Sequence, residues 1–101
     1  MDDPRLMRSR SVPVAVFQLG LIVATPNALS SLTQEDILAG TLRHQSGDWG
    51  NLSDEDRDSN ARALTEGSRI LSAYDAANGT RFWIITEADR SVTTVLLPED
   101  Y

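Results

Sequence analysis

Arg69 to Pro98 reads RILSAYDAANGTRFWIITEADRSVTTVLLP, and its punctuation sets out the architecture. Two segments rich in apolar and β-branched residues, Arg69–Ala76 and Thr80–Thr86, flank Asn78-Gly79. Asn-Gly favours positive φ at both central positions, which is what a type I′ hairpin turn requires. That turn predicts Tyr74 opposite Trp83 and Ala73 opposite Ile84. Glu87-Ala88-Asp89-Arg90 makes the next turn, and Ser91–Leu97 the last strand. Pro98 cannot donate a ladder hydrogen bond, so the strand stops there. The predicted register gives one face with Leu71, Ala73, Phe82, Ile84 and Val95. The other face carries Ile70, Tyr74, Trp83, Ile85 and Val92. A sheet solvated on one side alternates apolar with polar residues, and this one does not. Either helices cover one face while an N-terminal strand extends the sheet, or one face meets a partner.

Upstream, Val14–Val23 reads as a strand apolar on both faces. Gly20 within it signals a bulge or a close backbone approach. Thr25-Pro26 starts a short helix, with Thr25 as cap and Pro26 at the first helical position. Thr33-Gln34-Glu35-Asp36 resembles a capping box and opens a second helix, with Ile37, Leu38 and Leu42 on one stripe. Ser53-Asp54-Glu55-Asp56 starts a third helix, which runs to Glu66 and stops at Gly67. Its apolar stripe is thin, comprising Ala61, Ala63 and Leu64. The expected class is therefore α+β: an N-terminal strand, two to three short helices, and a three-stranded antiparallel meander with an Asn-Gly hairpin. Residues 12–101 form a single domain, and the polar residues 1–11 are expected to be a disordered tail.

The chain has 101 residues and a formal charge of −6. Residues 1–10 hold two acids and three arginines, a net +1, so the remainder carries −7. Wrapping a phosphate backbone requires clustered positive charge, so direct nucleic-acid binding is not expected. The acidic surface favours either a protein partner with a basic surface or plain solubility. There is no cysteine, which excludes disulfides and thiolate metal sites and fits a cytoplasmic, reducing location. Val12–Ala24 is the only long apolar run, and it follows Arg5, Arg8 and Arg10 as a signal peptide would. Asp2, Asp3 and Gln18, and the lack of a small-x-small site after the run, argue against that reading. The run is also too short to span a membrane.

Chemistry-bearing residues are sparse. His44 is the only histidine. It is either a helix-end cation facing the dipole or a general base titrating near neutrality. No ligand spacing for a metal appears, and no cofactor motif is present, so neither a metal nor a cofactor is expected. Asp54, Glu55, Asp56 and Asp58 lack the glycine and terminal glutamate of a calcium loop. They read as a solvated helix start or as an acidic docking surface. Glu87 and Asp89 form an acidic turn, suited either to backbone hydrogen bonding or to a partner's arginine. Tyr74 and Trp83 are either core rings with polar tips or a protein-binding anchor. Trp49, in a glycine-flanked loop, reads as a plug at the core edge.

His44-Gln45-Ser46-Gly47-Asp48-Trp49-Gly50, Arg69–Tyr74, Trp83–Thr94 and Leu97-Pro98-Glu99-Asp100-Tyr101 together resemble a family of small plasmid- and phage-borne bacterial proteins. Members carry labels such as plasmid-related protein or restriction–modification subunit. The resemblance covers residues 16–101 and implies residence on mobile elements, but it brings no established activity. A methyltransferase subunit would need a cofactor-binding fold that this chain has no room for. Three functions are therefore expected as alternatives. The first is a non-enzymatic counter-defence inhibitor, of anti-restriction or anti-CRISPR type, that binds through Asp54, Glu55, Asp56, Asp58, Tyr74, Trp83, Glu87 and Asp89. The second is a small metal-independent RNase of barnase or RelE type. There His44 is the base, Arg69 or Arg81 stabilises the phosphorane, and Thr93 or Thr94 orients the phosphate. The third is an antitoxin-like regulator.

Overall fold

The computed structural model describes residues 14–101. The tail expected over residues 1–11 lies outside the described residues. The architecture is α+β, with three α-helices and one mixed sheet among the described residues. In chain order the elements are β1 (Leu21–Ala24), α1 (Pro26–Ser31), α2 (Gln34–Gln45), α3 (Asp54–Glu66), β2 (Ile70–Asp75), β3 (Arg81–Thr86) and β4 (Val92–Leu96). A 3-10 turn over Pro98–Asp100 follows. The four strands lie in the order β1-β4-β3-β2. The sheet is thus not an isolated three-stranded meander, because β1 joins it parallel to β4.

Local capping accounts for the helices. The Thr25 hydroxyl accepts from the Ala28 amide at 3.1 Å, and Pro26 opens α1. Thr33 and Asp36 satisfy each other's backbone N–H at the start of α2. The Ser53 hydroxyl accepts from the Asp56 amide, and α3 ends at Gly67. That helix has no basic residue in its last turn. Arg90 supplies the missing cation from the β3–β4 turn by donating to the carbonyls of Ala63 and Ser68 at 3.0 and 2.7 Å. Arg90 holds φ at +61° to do so.

Three expectations change. The strand predicted over Val14–Val23 shrinks to Leu21–Ala24. Upstream of it, the Val16 amide donates to the Gln45 carbonyl, and Phe17 turns inward against His44 and Trp49. Gly20, at φ +65°, lies directly against the Ser91 carbonyl, where any side chain would collide. Second, the hairpin does not use a two-residue type I′ turn. Gly79 donates to Ala76 and Ala76 donates to the Thr80 carbonyl, with only Gly79 in the left-handed region. This is a three-residue loop: a type I turn followed by a glycine bulge. It moves the pairing by one residue, so Tyr74 faces Phe82 and Ala73 faces Trp83.

Third, the helices bury other faces than their apolar residues suggest. On α2 the buried residues are Gly40, Thr41 and His44, while Leu38 and Leu42 stay exposed. Gly40 lets α2 approach β3 so closely that a Cβ there would sit 2.9 Å from the Phe82 ring. On α3 the buried residues are Asn60 and Ala63. Leu64 is exposed.

All three helices pack on one side of the sheet. Ala28, Leu32 and Ile37 meet Tyr74, Phe82, Ile84 and Val95, and Ala63 meets Ile70 and Trp49. Trp49 is buried, as a loop plug should be. Tyr74 and Trp83 therefore lie on opposite faces. Tyr74 is a core ring whose hydroxyl donates to the Asp48 carbonyl at 2.6 Å. It is not an exposed anchor.

Candidate functional site

Two places hold the chemistry: a polar chain inside the core, and the sheet face that no helix among the described residues covers. The core chain starts at His44, which α2 directs onto the sheet with no exposure to solvent. Its Nδ1 lies 2.5 Å from Ser72 Oγ on β2, and its Nε2 lies 2.8 Å from Thr86 Oγ1 on β3. Thr86 Oγ1 lies 2.7 Å from Thr93 Oγ1 on β4, and the Thr93 hydroxyl donates to the Leu19 carbonyl at 2.7 Å.

Each hydroxyl has one proton, which fixes the direction of the chain from Leu19 as far as Nε2 of His44. Thr93 gives its proton to Leu19, so Thr86 must donate to Thr93. Thr86 must then accept from Nε2–H of His44. Burial disfavours a second proton on the ring, so Nδ1 stays unprotonated and accepts from the Ser72 hydroxyl. The imidazole is therefore neutral. Burial, with a smaller contribution from the Arg90 charge, pushes its pKa down to about 3. Phe17 and Trp49 present ring edges to it with centroids 5.2 and 6.0 Å away.

A serine hydroxyl on a histidine resembles a nucleophile and its base. Here Ser72, His44, Thr86 and Thr93 are all sealed from solvent. No substrate reaches them in this conformation, and every polar bond in the chain is already used. The chain ties α2 to β2, β3 and β4, and to the segment before β1.

The residues of the RNase reading are not brought together. His44 and Thr93 share the core chain. Thr94 points to the opposite face, opposite Ile85. Arg81 is exposed there and pairs with Asp75 at 3.0 Å. Arg69 lies just before β2, donates to the Tyr101 hydroxyl at 2.9 Å and contacts Glu87 at 3.3 Å.

That opposite face is the more unusual surface. One row crosses all four strands as Leu71, Ile85, Thr94 and Val23, and the next holds Ala73, Trp83 and Leu96. Thr94 is the one polar member of those rows. Ala73, Ile85 and Leu96 are buried on this face, Leu71 and Trp83 are half-buried, and Leu21 and Val23 on β1 are exposed. The chain doubles back across this face after β4. The Asp100 carboxylate accepts from Thr25 and Asn27, both at 2.6 Å, and from the Leu97 amide. These bonds, led by Thr25, hold its pKa below the usual carboxylate value. They place Tyr101 edge-on to Trp83, with centroids 5.7 Å apart. Tyr101 itself is 73% exposed.

Asp54, Glu55, Asp56 and Asp58 are exposed on α3. None of them joins an ion pair among the described residues. Glu87 is occupied by Arg69, and Asp89 accepts from the Ser91 amide in its turn. Among the described residues no group of His, Asp and Glu is arranged to hold a metal, and no helix is long and apolar enough to cross a membrane.

Sequence reasoning missed Ser72, Thr86, Phe17 and Tyr101. Ser72, Thr86 and Thr93 were legible as hydroxyls at strand positions, but only the correct register puts them on one face. No known protein family, curated protein or solved structure matches the chain.

Proposed function

We propose that this protein is a non-enzymatic binding module for another protein with a basic surface. The observation that carries this reading is the helix-free sheet face. It presents Leu21, Val23, Leu71 and Trp83 where a face meant for water would present polar side chains. The Trp83–Tyr101 pair gives it an aromatic centre, and interface energy concentrates in such residues. The basic character of the partner follows from the net charge of −6 and from the acids of α3, which are free of ion pairs among the described residues. Charge complementarity would speed and orient the encounter, and the apolar face would hold the complex.

The resemblance to plasmid- and phage-borne proteins supports a narrower form of the proposal. In it, the chain is a counter-defence inhibitor of anti-restriction or anti-CRISPR type, and its acids occupy a basic nucleic-acid channel.

The test is capture from a bacterial lysate with tagged protein, followed by two variants that keep the wild-type circular dichroism. Reversing Asp54, Glu55 and Asp56 to arginine is expected to abolish capture and its salt sensitivity. Trp83→Ala is expected to weaken capture by ten-fold or more. A partner retained equally by both variants overturns the assignment. So does tight, salt-sensitive binding of RNA or DNA by the isolated protein.

A further inference from the structure

The two edges of the sheet are treated very differently. On the β2 edge every outward backbone group near the centre has a partner. Asn60 brackets Leu71, donating to its carbonyl at 2.6 Å and accepting from its amide at 3.2 Å. The segment Trp49–Asn51 brackets Ala73 in the same way, at 3.1 and 2.7 Å. That edge is closed to a further strand. On the other edge, Leu21 and Thr25 donate inward to Ser91 and Val95 of the β4 segment at 2.9 and 3.0 Å. The alternate residues Ile22 and Ala24 therefore direct N–H and C=O outward. Among the described residues these groups have no partner.

Edge strands are ordinarily guarded by charge, proline or a bulge. β1 reads Leu-Ile-Val-Ala and has none of these. From Val14 to Gln34 the chain carries no ionisable side chain at all. In a protein of net charge −6 this is the longest stretch that adds no charge of its own to a contact between copies, and the nearby Asp100 carboxylate is held by Thr25 and Asn27.

We propose that β1 pairs with β1 of a second copy, antiparallel about a two-fold axis, to make one continuous eight-stranded sheet. Hydrogen bonding and face parity limit the register. The left-handed Gly20 (φ +65°), which does not continue the strand, disfavours Ile22 facing its own copy, because Ala24 would then oppose Gly20. Opposed residues must lie on the same face of the sheet, and outward backbone groups must meet outward groups. Both conditions hold when Ile22 faces the partner's Ala24 and Val23 faces the partner's Val23 across the axis. The helix-free faces of the two copies then form a single surface. This proposal does not depend on the protein-binding reading above. A four-residue strand makes a small interface, so the dimer is weak and concentration-dependent.

Light scattering on the full chain is expected to move from 11.1 kDa toward twice that mass as concentration rises. Val23→Lys is expected to abolish the shift, and so is Val23→Glu. An equimolar mixture of the two is expected to restore a heterodimer, which a misfolded variant would not. Leu38→Lys, on the outer face of α2, should leave dimerisation unchanged. The Ile22 and Ala24 amides should exchange fast when dilute and slow when concentrated. A wild-type mass that stays monomeric to millimolar concentration overturns the proposal. So does a dimer indifferent to both charges at Val23, which would place the interface elsewhere. Slow exchange at Ile22 and Ala24 independent of concentration also overturns it, because the edge would then be covered by the chain's own residues or by something other than a second copy.

Discussion

Nδ1 of His44 accepts a hydrogen bond from the Ser72 hydroxyl at 2.5 Å, and neither residue is exposed to solvent. This contact joins a helix to the sheet through an imidazole that must remain neutral. It makes stability depend on pH in a window that opens near 6.5, well above the carboxylate range.

In the unfolded chain His44 takes a proton near pH 6.5, whereas in the fold it resists protonation to about 3. Between those limits the unfolded state binds more protons, so stability falls as pH falls. The slope approaches about 1.4 kcal/mol per pH unit. Urea midpoints measured from pH 7 down to 4.5 are expected to decline steadily in the wild type and to stay nearly flat in His44→Gln. The lowered carboxylates Asp36, Asp48, Asp89 and Asp100 also cost stability on protonation, but only near or below their ordinary value of 3.8. A wild-type profile flat down to pH 4.5 would refute a neutral buried imidazole.

The direction of the core chain predicts unequal losses along it. Ser72→Ala leaves Nδ1 without a donor and should cost about 1–3 kcal/mol. Thr86→Val removes both the acceptor for Nε2–H and the donor to Thr93, so it should cost more than Ser72→Ala. The double variant should be less destabilised than the sum, because both changes act on one imidazole. Additive denaturation energies would mean that the hydroxyls act independently.

Gly40→Ala sets two effects against each other. Removing a mid-helix glycine gains about 1 kcal/mol of helix propensity. The new methyl would sit 2.9 Å from the Phe82 ring and 3.2 Å from Ile84 Cδ1, both in the core. Overpacking of that kind costs about 1–3 kcal/mol. The expected net result is destabilisation, with a lower melting temperature. A stabilised variant would show that α2 can slide away from β3 at little cost.

Arg90 carries the opposite balance. Its left-handed backbone, φ +61°, is unfavourable for a side chain by about 1–2 kcal/mol. Its guanidinium caps the end of α3 and the turn through the carbonyls of Ala63, Ser68 and Glu87. Arg90→Ala keeps the strain and loses the bonds. Arg90→Gly loses the bonds and relieves the strain. Both should be less stable than the wild type, with the alanine variant lower by about 1 kcal/mol. An alanine variant as stable as the glycine one would remove backbone strain from the account.

The helices and the loop positions were legible because their signals are local. Thr25-Pro26, the Thr33–Asp36 box, Ser53 and Gly67 act within one turn of chain, and each stands where the residues place it. The site was not legible, because it depends on which strand residues face each other. Asn78-Gly79 fits two hairpin turns that differ by one residue. The longer one moves Tyr74 away from Trp83, separating them onto opposite faces.

His44 shows the same limit from the helix side. At the end of α2 its local environment is a dipole and solvent. Close packing at Gly40 turns it inward to the hydroxyls of Ser72 and Thr86 instead. Residue order by itself determined the caps, the turn positions, the acidic surface and the α+β class, since these rest on contacts a few residues apart. Strand register, the buried side of each helix and the helix-free apolar face were decided only by the tertiary structure. Those features arise where distant segments compete to fill one core, and a shift of a single residue exchanges the partners of every side chain in a strand.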